Sequence, residues 1–151
     1  MIVREALPED AATWLRLRES LWSDEDPIEL RSEVETFFRT GLPTVAAAML
    51  AFDGDVAVGF AEVSLRSYVP GASKSPAPFL EGWYVEPEGR GRGVGRALVT
   101  AVERWARDRG HSELGSDSIL DNEPSALAHE ALGFHEVERV RFFVKSLDAR
   151  P

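Results

Sequence analysis

The sequence predicts a mixed α/β domain: a mostly antiparallel sheet flanked by about four helices. Three observations carry this prediction. Apolar residues recur with helical spacing in some segments and run in strand-like blocks in others. Two apolar blocks are separated by Asp53-Gly54-Asp55, a short turn that suits a hairpin. A glycine- and arginine-rich stretch joins a strand to the clearest helix of the chain. At 151 residues, with no repeat, linker or low-complexity tract, the chain reads as one domain over residues 1–151.

Ile2 to Glu5 reads as a short first strand. Pro8-Glu9-Asp10 starts a helix, since proline suits the first turn and carboxylates suit the positive end of the dipole. Ala11, Trp14, Leu17 and Leu21 then form one apolar stripe ending near Trp22. A second helix follows Pro27, with Leu30, Val34 and Phe37 or Phe38 on one side, closed by Gly41 and Pro43. Thr44 to Phe52 and Val56 to Leu65 are the hairpin strands. Arg66 to Pro78, rich in proline and serine, reads as an exposed loop, and Phe79 to Val85 as a further strand. Val94, Leu98, Ala101, Val102 and Trp105 form the buried stripe of the next helix, and Gly110 terminates it. A strand around Glu113 to Ser116, a helix around Ser125 to Leu132 and a final strand from Arg139 to Lys145 complete the order.

Composition narrows the function. The chain has no cysteine, which excludes disulfides, thiolate metal sites and a cysteine nucleophile. A net charge of -9 repels phosphate backbones, so no nucleic-acid partner is expected. The same charge would attract a small cationic ligand, although excess carboxylates also simply favour solubility. Met1 to Glu5 lack the long apolar stretch of a signal peptide, and the apolar run Val45 to Phe52 is too short to cross a bilayer. A cytoplasmic protein with no membrane partner is the expectation. His111 and His135 have no metal-ligand spacing, and no metal is expected.

The chemistry-bearing stretch runs from Val85 to Arg96, VEPEGRGRGVGR. Its glycines let successive backbone N–H groups approach a ligand without Cβ obstruction. Amides free at a helix start, with the helix dipole behind them, make a phosphate cradle. Arg90, Arg92 and Arg96 could add charge there. A P-loop requires lysine and then serine or threonine after its last glycine, and the dinucleotide fingerprint requires a third small residue. Arg96-Ala97 and the Gly89 and Gly91 registers supply neither. A purely structural glycine loop is the other reading.

With Asp53 to Ala61 as a central hairpin and Ala131-Leu132-Gly133-Phe134 near the C-terminus, the ordered set resembles the GNAT superfamily of acetyl-CoA-dependent N-acetyltransferases. The resemblance covers essentially the whole chain. It implies a sheet whose fourth and fifth strands splay apart to admit acetyl-CoA. Trp83, Tyr84 and Val85 would line the pantetheine arm. Arg90, Gly91, Arg92, Gly93, Val94, Gly95 and Arg96 would hold the pyrophosphate, and Asn122 would meet the cofactor from the other side.

Leu80 to Val85, Leu21-Trp22 and Ser116-Asp117-Ser118 are similar to the aminoglycoside 6'-N-acetyltransferases, most closely to a compact, dimeric subgroup. That similarity implies a homodimer and a small cationic amine substrate, an aminoglycoside antibiotic, bound by Trp22, Tyr68, Glu81, Asp117 and Glu138. Carboxylates suit its ammonium groups, and aromatic rings suit its sugars and charges. Each residue also has an ordinary reading. Trp22 could end an apolar helix face, Asp117 could cap a turn, and Glu138 could be a solvated charge. Glu81, between Leu80 and Trp83 in an apolar strand, needs a partner if buried. The catalytic expectations are Glu81 as the base, acting through water, and His129 as the acid. Many GNAT enzymes carry a tyrosine at the position of His129, seven residues after the asparagine, so this residue departs from the pattern; a histidine filling a helix face is the alternative. Acetylation of another amine, or a non-catalytic acyl-CoA-binding regulator, remains open at this point.

Overall fold

The computed structural model describes residues 1–40 and 45–148, which fall into two compact units, Met1–Asp117 and Ser118–Pro151. Gly41, Pro43 and Thr44, assigned above to a helix end and a strand start, lie outside the described residues. The first unit runs β1 (Ile2–Glu5), α1 (Ala11–Leu21), α2 (Pro27–Thr40), β2 (Ala47–Asp53), β3 (Val56–Arg66), β4 (Ala77–Val85), α3 (Val94–Asp108) and β5 (Gly115–Ser116). Its sheet has the order β1-β2-β3-β4-β5. The first four strands pair antiparallel, and β5 lies parallel to β4.

Local chemistry accounts for these elements. Gly54 takes a φ of 61° in the turn between β2 and β3, where a side chain would be strained. The short 3-10 turn Pro8–Asp10 leads into α1, and Asp10 accepts the Leu7 N–H at 2.7 Å. Arg4 donates to the same carboxylate at 2.6 Å, and this hydrogen bond is the main reason the Asp10 pKa is lowered. Gly110, at φ 84°, ends the turn after α3.

The residues of β3 from Ala57 to Ser64 are buried without interruption because helices cover both faces of the sheet. On one face α3 seats Leu98, Val99, Val102 and Trp105. On the other, Trp14 and Leu17 of α1 pack with Val34, Leu50 and Phe60. Phe37 and Phe38 meet the Trp14 ring edge-on, at 5.2 and 5.8 Å between centroids.

A buried ion pair ties this second face together. Arg18 and Glu62 have side chains 2% and 1% exposed and approach to 2.5 Å. Glu62 also accepts from Trp14 Nε1 at 2.8 Å, while Arg18 donates to the Leu30 carbonyl at 2.7 Å. The pair thus links α1, α2 and β3. Burial raises the Glu62 pKa, against the opposing pull of Arg18 and Trp14.

Two expectations for the first unit are corrected. The segment after β3 is not wholly an exposed loop: Val69 is buried and forms a small satellite core with Ala77 and Phe79. The fifth strand is only two residues long, and its pairing with β4 ends at Leu80 and Ser116.

The second unit contains α4 (Glu123–Ala131), which Asn122 caps by accepting the Ser125 N–H at 3.1 Å. Gly133 closes it at φ 93°. The expected strand Arg139 to Lys145 is not formed. That stretch carries no ladder, and Phe142, Phe143 and Val144 are 93%, 89% and 99% exposed. Alternating residues specify a strand only when an edge is present to pair with.

Replacing Arg18 with Met leaves Glu62 buried without its counter-charge, and urea unfolding should show a loss of about 3–5 kcal/mol. Lys at the same position should recover less than half of that, because one ammonium cannot span both the carboxylate and the Leu30 carbonyl.

Candidate active site

The strand β4 leads directly into the glycine loop. Glu86 N–H donates to the Val58 carbonyl at 2.8 Å, and Pro87–Gly89 form a single 3-10 turn. Gly91 and Gly93 then adopt φ of 74° and 81°. Space is open around both, so the backbone conformation, not crowding, requires glycine there. Gly93 is the N-cap of α3, and the first turn of the helix closes with Ala97 N–H donating to the Gly93 carbonyl at 3.0 Å. The amides before Ala97 have no carbonyl four residues back within the helix, and they stand at the positive end of its dipole.

The arginines contribute differently. Arg90 donates from Nε to the Val85 carbonyl at 2.9 Å and lies 5.7 Å from the Tyr84 ring centroid. Arg92 pairs with Asp53 at 3.1 Å with both side chains about half exposed. Arg96 is exposed on the first turn of α3. The start of α3 is braced from β4: Trp83 Nε1 donates to the Gly95 carbonyl at 3.1 Å, and a Cβ on Gly95 would come 3.3 Å from the same ring. Left-handed glycines, helix-start amides and nearby guanidinium groups together fit a diphosphate.

Trp83, Tyr84 and Val85 lie beyond the point where β4 stops pairing with β5. They therefore flank an interrupted ladder, the place where an extended ligand can take the position of a strand. The Tyr84 hydroxyl donates to Glu86 at 3.2 Å, and Glu86 is held by Arg16 at 2.7 Å. Burial, then the adjacent Glu86 charge, raises the Tyr84 pKa.

Glu81 occupies a β-bulge. Val63 pairs with Leu80 and Glu62 with Gly82, so Glu81 is the extra residue in β4. A bulge re-aims a side chain, and here the carboxylate meets β3 residues that share one face. Arg66 donates to Glu81 through Nε at 2.7 Å and Nη2 at 2.8 Å, and Ser64 Oγ donates at 3.1 Å. The Arg66 guanidinium stacks 3.7 Å from the Phe79 centroid. Glu81 thus has the partner that its setting requires.

Trp22, the C-cap of α1, packs against the residue after Glu81 because that residue is glycine: a Cβ on Gly82 would lie 2.7 Å from Trp22 Cη2. The Trp22 ring meets Phe60 edge-on at 5.9 Å, and Arg18 lies 5.0 Å from the Trp22 centroid. Asp117 follows Ser116, the register partner of Leu80, and is exposed, as is Tyr68 in the loop after β3. The first unit therefore sets Trp22 against Gly82, one residue along β4 from Glu81. Tyr68 and Asp117 stand on segments flanking β3 and β4.

The remaining candidates lie in the second unit. Asn122 uses Oδ1 to cap α4. His129 Nδ1 donates to the Ser125 carbonyl at 2.7 Å, and its ring meets Phe134 edge-on at 5.2 Å. That bond fixes a tautomer with Nε2 as the acceptor of the neutral ring. Glu138 is exposed in the extended C-terminal stretch. Among the described residues no cluster of three or more His, Cys, Asp or Glu side chains could hold a metal ion.

Sequence reasoning passed over Arg18, Ser64 and Arg66. A signal existed: Glu62, Ser64 and Arg66 recur at every second place in an otherwise apolar strand, the mark of a polar stripe on one face.

Comparisons with known proteins bear on this arrangement. Residues 12–134 match the acetyltransferase (GNAT) family. An aminoglycoside N(6')-acetyltransferase type 1 from Stenotrophomonas maltophilia is 48% identical over 148 residues, spanning 97% of this chain and 94% of that protein. One from Klebsiella aerogenes is 45% identical over 148 residues, with 97% of each covered. Among solved structures, AAC(6')-Iy in complex with the bisubstrate analog CoA-S-monomethyl-acetylneamine superposes with a TM-score of 0.88 at 36% identity, covering 96% of this chain and 97% of that one. The apo 6'-N-acetyltransferase AAC(6')-IG of Acinetobacter haemolyticus gives a TM-score of 0.87 at 36% identity, covering 98% and 100%. With the cradle, the interrupted ladder and these full-length similarities, the chain belongs to the acetyltransferase (GNAT) family and groups within it with the aminoglycoside N(6')-acetyltransferases.

Proposed function

We propose that this protein transfers the acetyl group of acetyl-CoA to the 6'-amine of an aminoglycoside antibiotic and thereby confers resistance, with residues 1–151 acting as one transferase domain. The observation that carries the reading is the composition of β4. Within five residues it carries a bulged carboxylate, Glu81, then Gly82, against which Trp22 packs, and then the backbone past the end of the β5 ladder that runs into the phosphate cradle. Acceptor and donor groups are thus held by one strand. The names of the relatives support the choice of amine.

Acetyl-CoA supplies an activated thioester when bound. The helix-start amides from Gly91 to Arg96, with Arg90, Arg92 and Arg96, would hold its diphosphate, and Trp83, Tyr84 and Val85 would flank its pantetheine arm. A backbone N–H of β4 that faces away from β3 near Tyr84 and Val85 would polarise the thioester carbonyl. Asn122 retains its amide donors for the cofactor, since its helix cap uses Oδ1. Glu81 accepts the amine's proton through water, while Asp117, Glu138 and Tyr68 hold the other ammonium groups and sugar rings. His129, anchored through Nδ1, would act as proton donor to the departing thiolate from Nε2 once the ring carries a proton on both nitrogens. Fixing two reactants side by side accounts for much of the rate.

The reading extends to a homodimer. Phe142, Phe143, Val144 and Leu147 are each at least 89% exposed, and an apolar strand-forming stretch left bare invites a second strand. A second copy of this chain is the occupant assigned here. Among the described residues no helix is long and apolar enough to cross a membrane, and the reaction is placed in the cytoplasm, where coenzyme A thioesters are supplied.

A thiol-release assay with acetyl-CoA against kanamycin, spermidine and an amino-terminal peptide should give turnover on kanamycin and a singly acetylated product by mass spectrometry. Turnover on spermidine or the peptide alone would overturn the choice of substrate. Asp117→Ala should raise the kanamycin KM about tenfold with kcat little changed, and Glu81→Gln should lower kcat by 10-fold or more. Unchanged kinetics in both would remove the acceptor assignment. Sedimentation equilibrium should report a dimer that Phe142→Glu with Val144→Glu converts to monomer; a wild-type monomer would refute the assembly.

A further inference from the structure

The bidentate contact between Arg66 and Glu81 raises a question that the acceptor reading leaves open. A carboxylate next to the reacting amine stabilises its ammonium form, the unreactive one, and so opposes the deprotonation that transfer requires. Glu81 is not a bare carboxylate. Arg66 and Ser64 take three of its roughly four acceptor directions. The guanidinium is fixed from a second side by the Phe79 ring at 3.7 Å, so it is held in place and does not merely pass by. The contact is also wet enough to receive a ligand, with side chains 43% and 24% exposed for Arg66 and Glu81.

We infer that Arg66 is the resident counter-charge of the acceptor site, leaving Glu81 able to take the reacting amine's proton through water without holding that amine as an ammonium ion. The inference rests on Glu81 being the acceptor carboxylate. Arg66 is a positioning residue in this account: it acts on the amine through Glu81. The ammonium passes its proton through water to Glu81 before attack, and Arg66 takes no part in that transfer beyond its hydrogen bonds to Glu81.

The other charged groups around Glu81 do not substitute for Arg66. On β3, Glu62 lies buried and paired with Arg18 of α1, so their charges largely cancel. Just after β4, Glu86 is engaged by Arg16 and the Tyr84 hydroxyl. Ser64 on β3 is neutral, and Tyr68 in the following loop is a phenol. Asp117, beyond the end of β5, adds negative charge. Among the described residues Arg66 is therefore the cation that makes direct hydrogen bonds to Glu81.

The test is the pH dependence of kcat for kanamycin at saturating acetyl-CoA, compared among wild type, Arg66→Gln, Arg66→Met and Arg66→Lys. Loss of the charge should move the alkaline-rising limb of kcat upward by on the order of one pH unit. At pH 7 this appears as a roughly tenfold lower kcat together with a severalfold lower KM, since a bare carboxylate binds the ammonium more tightly. At high pH kcat should return toward wild type. Lys should restore most of the limb. Gln retains a hydrogen bond to Glu81 without charge, so it gives a second reading if Met disturbs the fold. In a Glu81→Gln background, Arg66→Gln should leave the limb where Glu81→Gln alone puts it. A kcat lowered equally at every pH, or a KM that rises, would overturn the inference. If Glu81→Gln alone changes nothing, the acceptor reading itself has failed, and the two failures are thereby separated.

Discussion

The antiparallel ladder between β3 and β4 is the constraint on which the site depends, because it is regular everywhere except at Glu81. At Phe79 and Leu80, β4 pairs on both edges, with β3 and with β5. At the bulge it gains one residue on the β3 side, and the pairing with β5 ends at the same place. A carboxylate is turned out on one face, and the following backbone runs on past the end of β5. Both consequences come from one local irregularity. The structure surrounding it is rigid: β3 is buried along most of its length, and the Arg18–Glu62 pair locks α1 to it from beneath Trp22.

Electrostatics divides the site into two regions of opposite sign. At the start of α3 the helix dipole and three arginines favour a diphosphate. Around Trp22 and Glu81 the carboxylates favour cations, consistent with the net charge of -9. Arginines nonetheless temper the acidic side. Arg18 neutralises Glu62 inside the core, Arg16 holds Glu86, and Arg66 holds Glu81. An acidic surface can concentrate a polycation, while the paired carboxylate nearest the chemistry need not trap it.

Much of this was legible in the residues. The glycine loop was readable because positive φ at Gly91 and Gly93 leaves a mark that no other residue type supplies as readily. The stripe of α3 was readable because burial on one helical face imposes a period. Arg66 was harder to see, since the pattern that exposes it, Glu62-Ser64-Arg66, looks like noise inside an apolar strand until the opposite strand is known. The bulge at Glu81 depends on register between two segments and has no local signature. Arg139 to Lys145 failed for a related reason: its alternation is that of a strand, but alternation does not say whose edge it will meet.

The most direct measurement is calorimetric titration of the purified protein with coenzyme A, followed by kanamycin with and without coenzyme A present. The account predicts saturable coenzyme A binding, weakened when Gly93 is changed to Val, and kanamycin binding that Glu81→Gln alters without affecting coenzyme A. No heat with coenzyme A, or coenzyme A binding indifferent to Gly93, would contradict it.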